Sequence, residues 1–243
     1  MKKIFSLMML VACSVCMYAQ VTKMYVWKNG SYTVCPVENV DSITFAVFDY
    51  KAVDLGLPSG TLWADRNVGA DAPEAYGDYF AWGEVTPRTE YSWTTYKLCN
   101  GSGLTMIKYC KSSYYGTVDG MTTLELQDDA AYVNMGTEWR MPTRVEQDEL
   151  RKNCTFNWKN QNGVMGYKVI GPNGNSIFLP AAGYYYYSSL TSAGSYGYYW
   201  SSSLSEDGMF GSNCAYEFDF GPDFFTRDLN NRFYGQSVRA VMR

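Results

Sequence analysis

The sequence contains no histidine. That removes Ser-His-Asp and Cys-His nucleophilic mechanisms and every metal site built on imidazole. Chemistry, if there were any, would fall to carboxylate pairs, lysine or cysteine. The five cysteines beyond residue 19, at 35, 99, 110, 154 and 214, never stand at CxxC spacing, so a zinc ribbon is excluded. No Asp-x-Asp-x-Asp-Gly calcium loop occurs either. The expectation is therefore no metal and no cofactor. Basic residues are scattered without a stripe, which argues against nucleic-acid partners. Beyond the first twenty residues no apolar run approaches the ~20 residues that span a bilayer, so no transmembrane helix is expected.

What the chain does carry begins with an export signal. Lys2 and Lys3 precede an apolar run from Ile4 to Cys16 broken only by Ser6 and Ser14, and Ala19 offers a small residue for cleavage. Residues 1–19 read as a signal peptide. Leu10-Val11-Ala12-Cys13 also resembles a lipobox, leaving lipidation at Cys13 as the alternative to release after Ala19. Ordinary cleavage is preferred, because the residues after Cys13 stay apolar. The protein is expected to be exported, either secreted or held at the cell surface or outer membrane. Loss of the two lysines leaves 18 basic against 24 acidic residues, a net charge near −6.

Residues 20–50 read as a small β unit. Asn29-Gly30 between two apolar runs is a strong hairpin signal, and residues 40–45 are a third candidate strand. Residues 51–243 have a different texture, with short strands divided by Gly, Pro, Asn and Ser. Residues 86–120 read as a long irregular region. Residues 126–135 read as a helix with Asp128 and Asp129 at its positive end. A second helix opens on Thr143 with Glu146 three positions later, a capping box, and stops near Asn153. Further strands are expected around 166–170, 176–180, 183–187, 196–203, 215–220 and 237–242, with a hairpin tip at Asn173-Gly174. The pattern predicts an α+β class.

Several blocks carry a likeness. Trp139-Arg140-Met141-Pro142-Thr143 with Glu146, and the ending Gly235-Gln236-Ser237-Val238-Arg239-Ala240-Val241, resemble motifs of the formylglycine-generating-enzyme/C-type-lectin-like superfamily. Residues 53–63, 79–84, 179–183 and Tyr199-Trp200-Ser201-Ser202-Ser203 resemble the Fibrobacter succinogenes major paralogous domain group, over about residues 52–243. The resemblance implies a C-type-lectin-like domain, two helices on a small twisted antiparallel sheet with long loops, preceded here by a short β-hairpin unit. Within it Trp139, Arg140, Pro142, Thr143, Glu146, Trp200 and Arg239 read as structural residues. Fold does not settle function. Formylglycine-type catalysis needs a cysteine pair near the C-terminal strand, and Cys214 stands alone there. The sugar-binding triplets Glu-Pro-Asn and Gln-Pro-Asp are missing, and Gly221-Pro222-Asp223 reads as an ordinary turn.

Cysteine placement offers one further expectation. Cys99 and Cys110 close a short Gly/Ser-rich loop and are the favoured disulfide pair for an exported chain. Glu84, Glu90, Asp207, Glu217 and Asp219 supply carboxylates, read by default as solvated. The aromatic excess invites function most. Tyr184, Tyr185, Tyr186, Tyr187, Tyr196 and Tyr198 crowd a short stretch, and alternation in strands should turn half of them outward. These are the candidate binding surface. The leading expectation is a non-enzymatic module that recognises glycan or a surface protein. A structural or accessory subunit of an envelope assembly is the alternative, and a divergent enzyme of the same fold the second.

Overall fold

The computed structural model describes residues 23–28, 31–36, 49–206 and 211–242. The segment expected to direct export, with Cys13, the candidate strand at 40–45 and Asp207 lie outside the described residues. Two compact units are present, one within Met1–Val47 and one within Phe48–Arg243. In the first, β1 (Lys23–Lys28) pairs antiparallel with β2 (Ser31–Pro36), with Lys28 opposite Ser31.

The second unit is built from small antiparallel sheets. β3 (Ala52–Asp54), β4 (Leu62–Ala64) and β13 (Val241–Met242) form one, in the order β13-β4-β3. β5 (Thr155–Gln161), β6 (Val164–Ile170) and β7 (Ser176–Pro180) form a meander. β8 (Tyr184–Tyr186) and β9 (Ser189–Thr191) make a hairpin, and β10 (Gly197–Leu204), β11 (Cys214–Gly221) and β12 (Phe224–Asn231) make the third three-stranded sheet. Among the described residues two short helices are present, α1 (Ala130–Met135) and α2 (Arg144–Asn153).

This corrects the expected C-type-lectin-like arrangement of two helices on one sheet: the unit is a β-rich fold of several small sheets. The reason lies in what the helices bury. α1 buries Ala130 and Ala131, and α2 buries Glu146, Gln147 and Leu150. Three apolar side chains cannot cover a sheet, so strands and aromatic loops supply the core instead. The first helix is also shorter than expected. Leu126–Asp128 forms a single 3-10 turn, and Asp129 is the N-cap, accepting from the amides of Ala131 and Tyr132. α2 starts where the capping box places it: Thr143 Oγ1 accepts from the Glu146 amide, and the Glu146 carboxylate accepts from the Thr143 amide.

No strand or helix forms between β4 and the turn at Leu126. Side chains take the place of a ladder there, because buried carbonyls still need donors. Tyr79 OH donates to Ala182 O, Tyr91 OH to Tyr79 O and Tyr96 OH to Trp82 O, each at 2.6 Å. Trp82 and Trp200 are fully buried and reach across to each other's segment: Trp82 Nε1 donates to Ser201 O (2.8 Å) and Trp200 Nε1 to Phe80 O (2.9 Å). Two buried guanidiniums do the same work. Arg232 reaches the carbonyls of Lys108, Tyr109 and Ser212 and lies over the rings of Trp82 and Tyr96. Arg239 donates to Asn67 Oδ1 and to the carbonyls of Ala64 and Phe178.

The expected Cys99–Cys110 disulfide is absent, and both are free thiols. Cys99 Sγ lies 3.3 Å from Trp93 O and Cys110 Sγ 3.2 Å from Ser112 O, so each thiol turns to a carbonyl of its own loop. Among the described residues no helix is long and apolar enough to cross a membrane.

Candidate functional site

The tyrosine run divides by the alternation of β8. Tyr185 turns inward, with its ring 4.9 Å from that of Tyr79 and 5.6 Å from that of Tyr91. Tyr184 and Tyr186 take the other face and meet residues of the segment after β12. The Tyr184 ring lies 5.3 Å from Tyr234, and the Tyr186 ring 5.3 Å from Tyr234 and 6.0 Å from Phe233. Tyr187 stacks edge-on to Tyr186 at 4.6 Å and is held at φ 51° by a reciprocal backbone pair with Tyr91. Tyr198 joins from β10, 4.8 Å from Tyr184. The result is a continuous strip, Tyr198–Tyr184–Tyr234–Tyr186–Tyr187. Tyr186 and Tyr187 are exposed and the other three half-buried. Tyr196 stands apart and packs near Phe224 at 5.9 Å. Of the six tyrosines singled out by sequence, the fold therefore gathers Tyr184, Tyr186, Tyr187 and Tyr198, uses Tyr185 as packing, and separates Tyr196.

A second feature adjoins the strip. Tyr198 lies opposite Asp219, and Glu217, two residues away on the same face of β11, lies opposite Asp228 of β12. Glu217 is 2% exposed; Gln236 Nε2 donates to its Oε2 in a short contact, and Asn230 Nδ2 approaches its Oε1 at 3.4 Å. Burial pushes the Glu217 carboxyl up to about 8, with Asp219 and Asp228 adding to the shift. Asp219 is raised to about 6, by burial first and Asp228 second. Tyr198 is raised to about 12 by burial, with Glu217 contributing, and Tyr234 is raised by burial, with Tyr184 contributing. The default reading of Glu217 and Asp219 as solvated acids is overturned. So is that of Glu84, which is buried, raised by desolvation and ion-paired to Arg88 at 2.5 Å. Glu90 is exposed. The signal for the first pair was present in Tyr216-Glu217-Phe218-Asp219-Phe220: acids alternating with aromatics put both acids on one face. Tyr234 and Gln236 carried no comparable signal.

The residues of the Trp139–Glu146 block line a different place. Arg140 grips Glu146 through both guanidinium nitrogens, at 2.8 and 2.5 Å, and that grip with the amides of the cap holds the Glu146 carboxyl down at about 2. Arg140, Thr143 and Glu146 border a depression of ≈ 550 Å³ with Ser59, Val145 and Glu149. Its carboxylates are occupied. Asp129 accepts from three amides, Glu146 from Arg140 and the cap, and Glu149 from Ser59. Pro142 gives its carbonyl to the Ser202 amide, Trp139 and Trp200 lie in one core cluster, and Arg239 is buried. This region is built to hold the chain together.

Comparison of the chain with family models, curated proteins and solved structures returned no match.

Proposed function

We propose that this chain is an exported, non-enzymatic recognition module that binds glycan through the strip of Tyr184, Tyr186, Tyr187, Tyr198 and Tyr234. The observation that carries the reading is the strip itself: five rings, each within 5.3 Å of the next, on a face that leaves Tyr186 42% and Tyr187 51% exposed. Tyrosine gives rigid contact area at small entropic cost, with an apolar face for the C–H side of a sugar ring and a phenol for its hydroxyls. The N-terminal apolar run supports the exported part of the reading. Against catalysis stands the depth of Glu217, which at 2% exposure is beyond a substrate's reach. A glycan array probed with the full mature chain tests the proposal. Saturable binding that Tyr186→Ala and Tyr187→Ala abolish supports it, and binding indifferent to both changes sinks it.

A second reading, an accessory subunit of an envelope assembly, draws on β12. This is an edge strand of its sheet and exposes Phe224 and Phe225, a surface suited to strand addition by another chain. Stable co-purification with one envelope protein, lost on introducing a proline in β12, would favour it.

A further inference from the structure

The strip borders a group of oxygen acceptors that lacks a cation. Glu217, Asp219 and Asp228 share one face of β11 and β12, and among the described residues none of them is ion-paired with a lysine or arginine. Arg227, next in sequence to Asp228, points to the other face and pairs with Asp148. Asp219 Oδ1 is buried without a partner among the described residues. So is the oxygen of Gln236, a side chain 0% exposed whose amide nitrogen is bound to Glu217. A buried acceptor left without a donor carries a desolvation cost. One of these two acceptors belongs to the three carboxyl groups and the other to Gln236 beside them, and the neighbouring rings are Tyr198, Tyr184 and Tyr234.

Resting on the glycan reading, we propose that this end of the strip selects sugars bearing a free amino group, with the ammonium seated against Tyr198 and Tyr184 and donating toward Asp219 and Asp228. An ammonium brings three donors and one positive charge to a place that has acceptors and negative charge. Ring faces attract such a cation as well. A divalent metal fits less well, because the described carboxylates do not converge as a ligand set for a metal ion. Glu217 and Gln236 lie beneath, buried, and do not touch the sugar, so the negative charge is that of Asp219 and Asp228.

The test is calorimetric titration of the full mature chain at pH 7 with a glucosamine oligomer and with its fully N-acetylated counterpart, repeated on Asp219→Asn and Asp228→Asn. The expected result is tighter binding of the amine oligomer. Each substitution should weaken that binding by about tenfold, the equivalent of one lost charge-assisted contact, and leave the acetylated oligomer within about twofold. Unchanged melting temperatures in both variants keep the comparison one of binding. Equal affinity for both oligomers, or amine binding untouched by the substitutions, overturns the selectivity while leaving the glycan reading intact. Binding of neither oligomer, with no other glycan bound on the array, overturns both. Binding of a lysine-rich peptide as tight as that of the amine oligomer overturns the assignment to a sugar, and binding of calcium chloride that Asp219→Asn removes overturns the assignment to an amine.

Discussion

Arg239 Nε donates to Asn67 Oδ1 at 2.9 Å, joining residues 172 positions apart inside the core. The same guanidinium reaches Ala64 O and Phe178 O, so one side chain ties β4, the middle of β7 and the closing segment together. Burial lowers Arg239 from its usual value to about 10, and no carboxylate stands among its hydrogen-bond partners. Its hydrogen bonds all go to neutral acceptors, and Asp65 adds a favourable charge without bonding to it.

Arg239→Ala should therefore strand three buried acceptors and leave a cavity, at a cost of about 3–5 kcal/mol. Arg239→Lys should recover little of it, because an ammonium cannot reproduce the planar fork. Urea unfolding measures both, and a lysine variant as stable as the parent would contradict the geometry.

Glu146 closes the start of α2 twice, through the cap and through Arg140. Thr143→Ala should cost about 1 kcal/mol. Glu146→Ala should cost about 3 kcal/mol, since it also leaves Arg140 without its partner. Thermal unfolding of the two variants should rank them in that order.

Stability should fall as pH rises above the ordinary carboxylate range. Glu217 is raised to about 8, so the folded state holds its proton more tightly than the unfolded chain does. The stabilisation is complete below about 4.5 and is lost as pH climbs through 8, by up to about 5 kcal/mol. Asp219, raised to about 6, acts in the same direction over a lower window. Glu146 works oppositely: lowered to about 2, it stabilises above 4.5, and that contribution fades as pH falls through 2. Urea midpoints measured from pH 3 to 9 should peak on the acid side, and Glu217→Gln should flatten the decline between 4.5 and 8.

Within the tyrosine run, Tyr186→Ala and Tyr187→Ala should change stability by no more than about 0.5 kcal/mol. Tyr185→Ala, which removes a ring packed on Tyr79 and Tyr91, should cost about 2–3 kcal/mol. If all three cost the same, the division between surface and packing is wrong. A non-reducing peptide map should find no link between Cys99 and Cys110.

Much of this architecture was written locally. The capping box fixed the start of α2 because its partners lie three residues apart. The Asn173-Gly174 tip and the alternation in β8 needed only neighbouring residues, and so did the division of Tyr184 and Tyr186 from Tyr185. Strands β5 and β12 escaped notice because they are polar or exposed along most of their length, which leaves little hydrophobic period to read.

What the sequence by itself determined was a histidine-free, aromatic-rich chain of short strands whose tyrosines cluster where a surface could form. Only the tertiary structure decided that Tyr234 completes that surface, that Glu217 is buried and Asp219 half-buried beside it, and that the helices are too small to cover a sheet. Those outcomes depend on cross-strand register and long-range packing. Burial and charge belong to neighbours in space, and for Tyr184 and Tyr234, or Arg239 and Asn67, those neighbours are far apart along the chain.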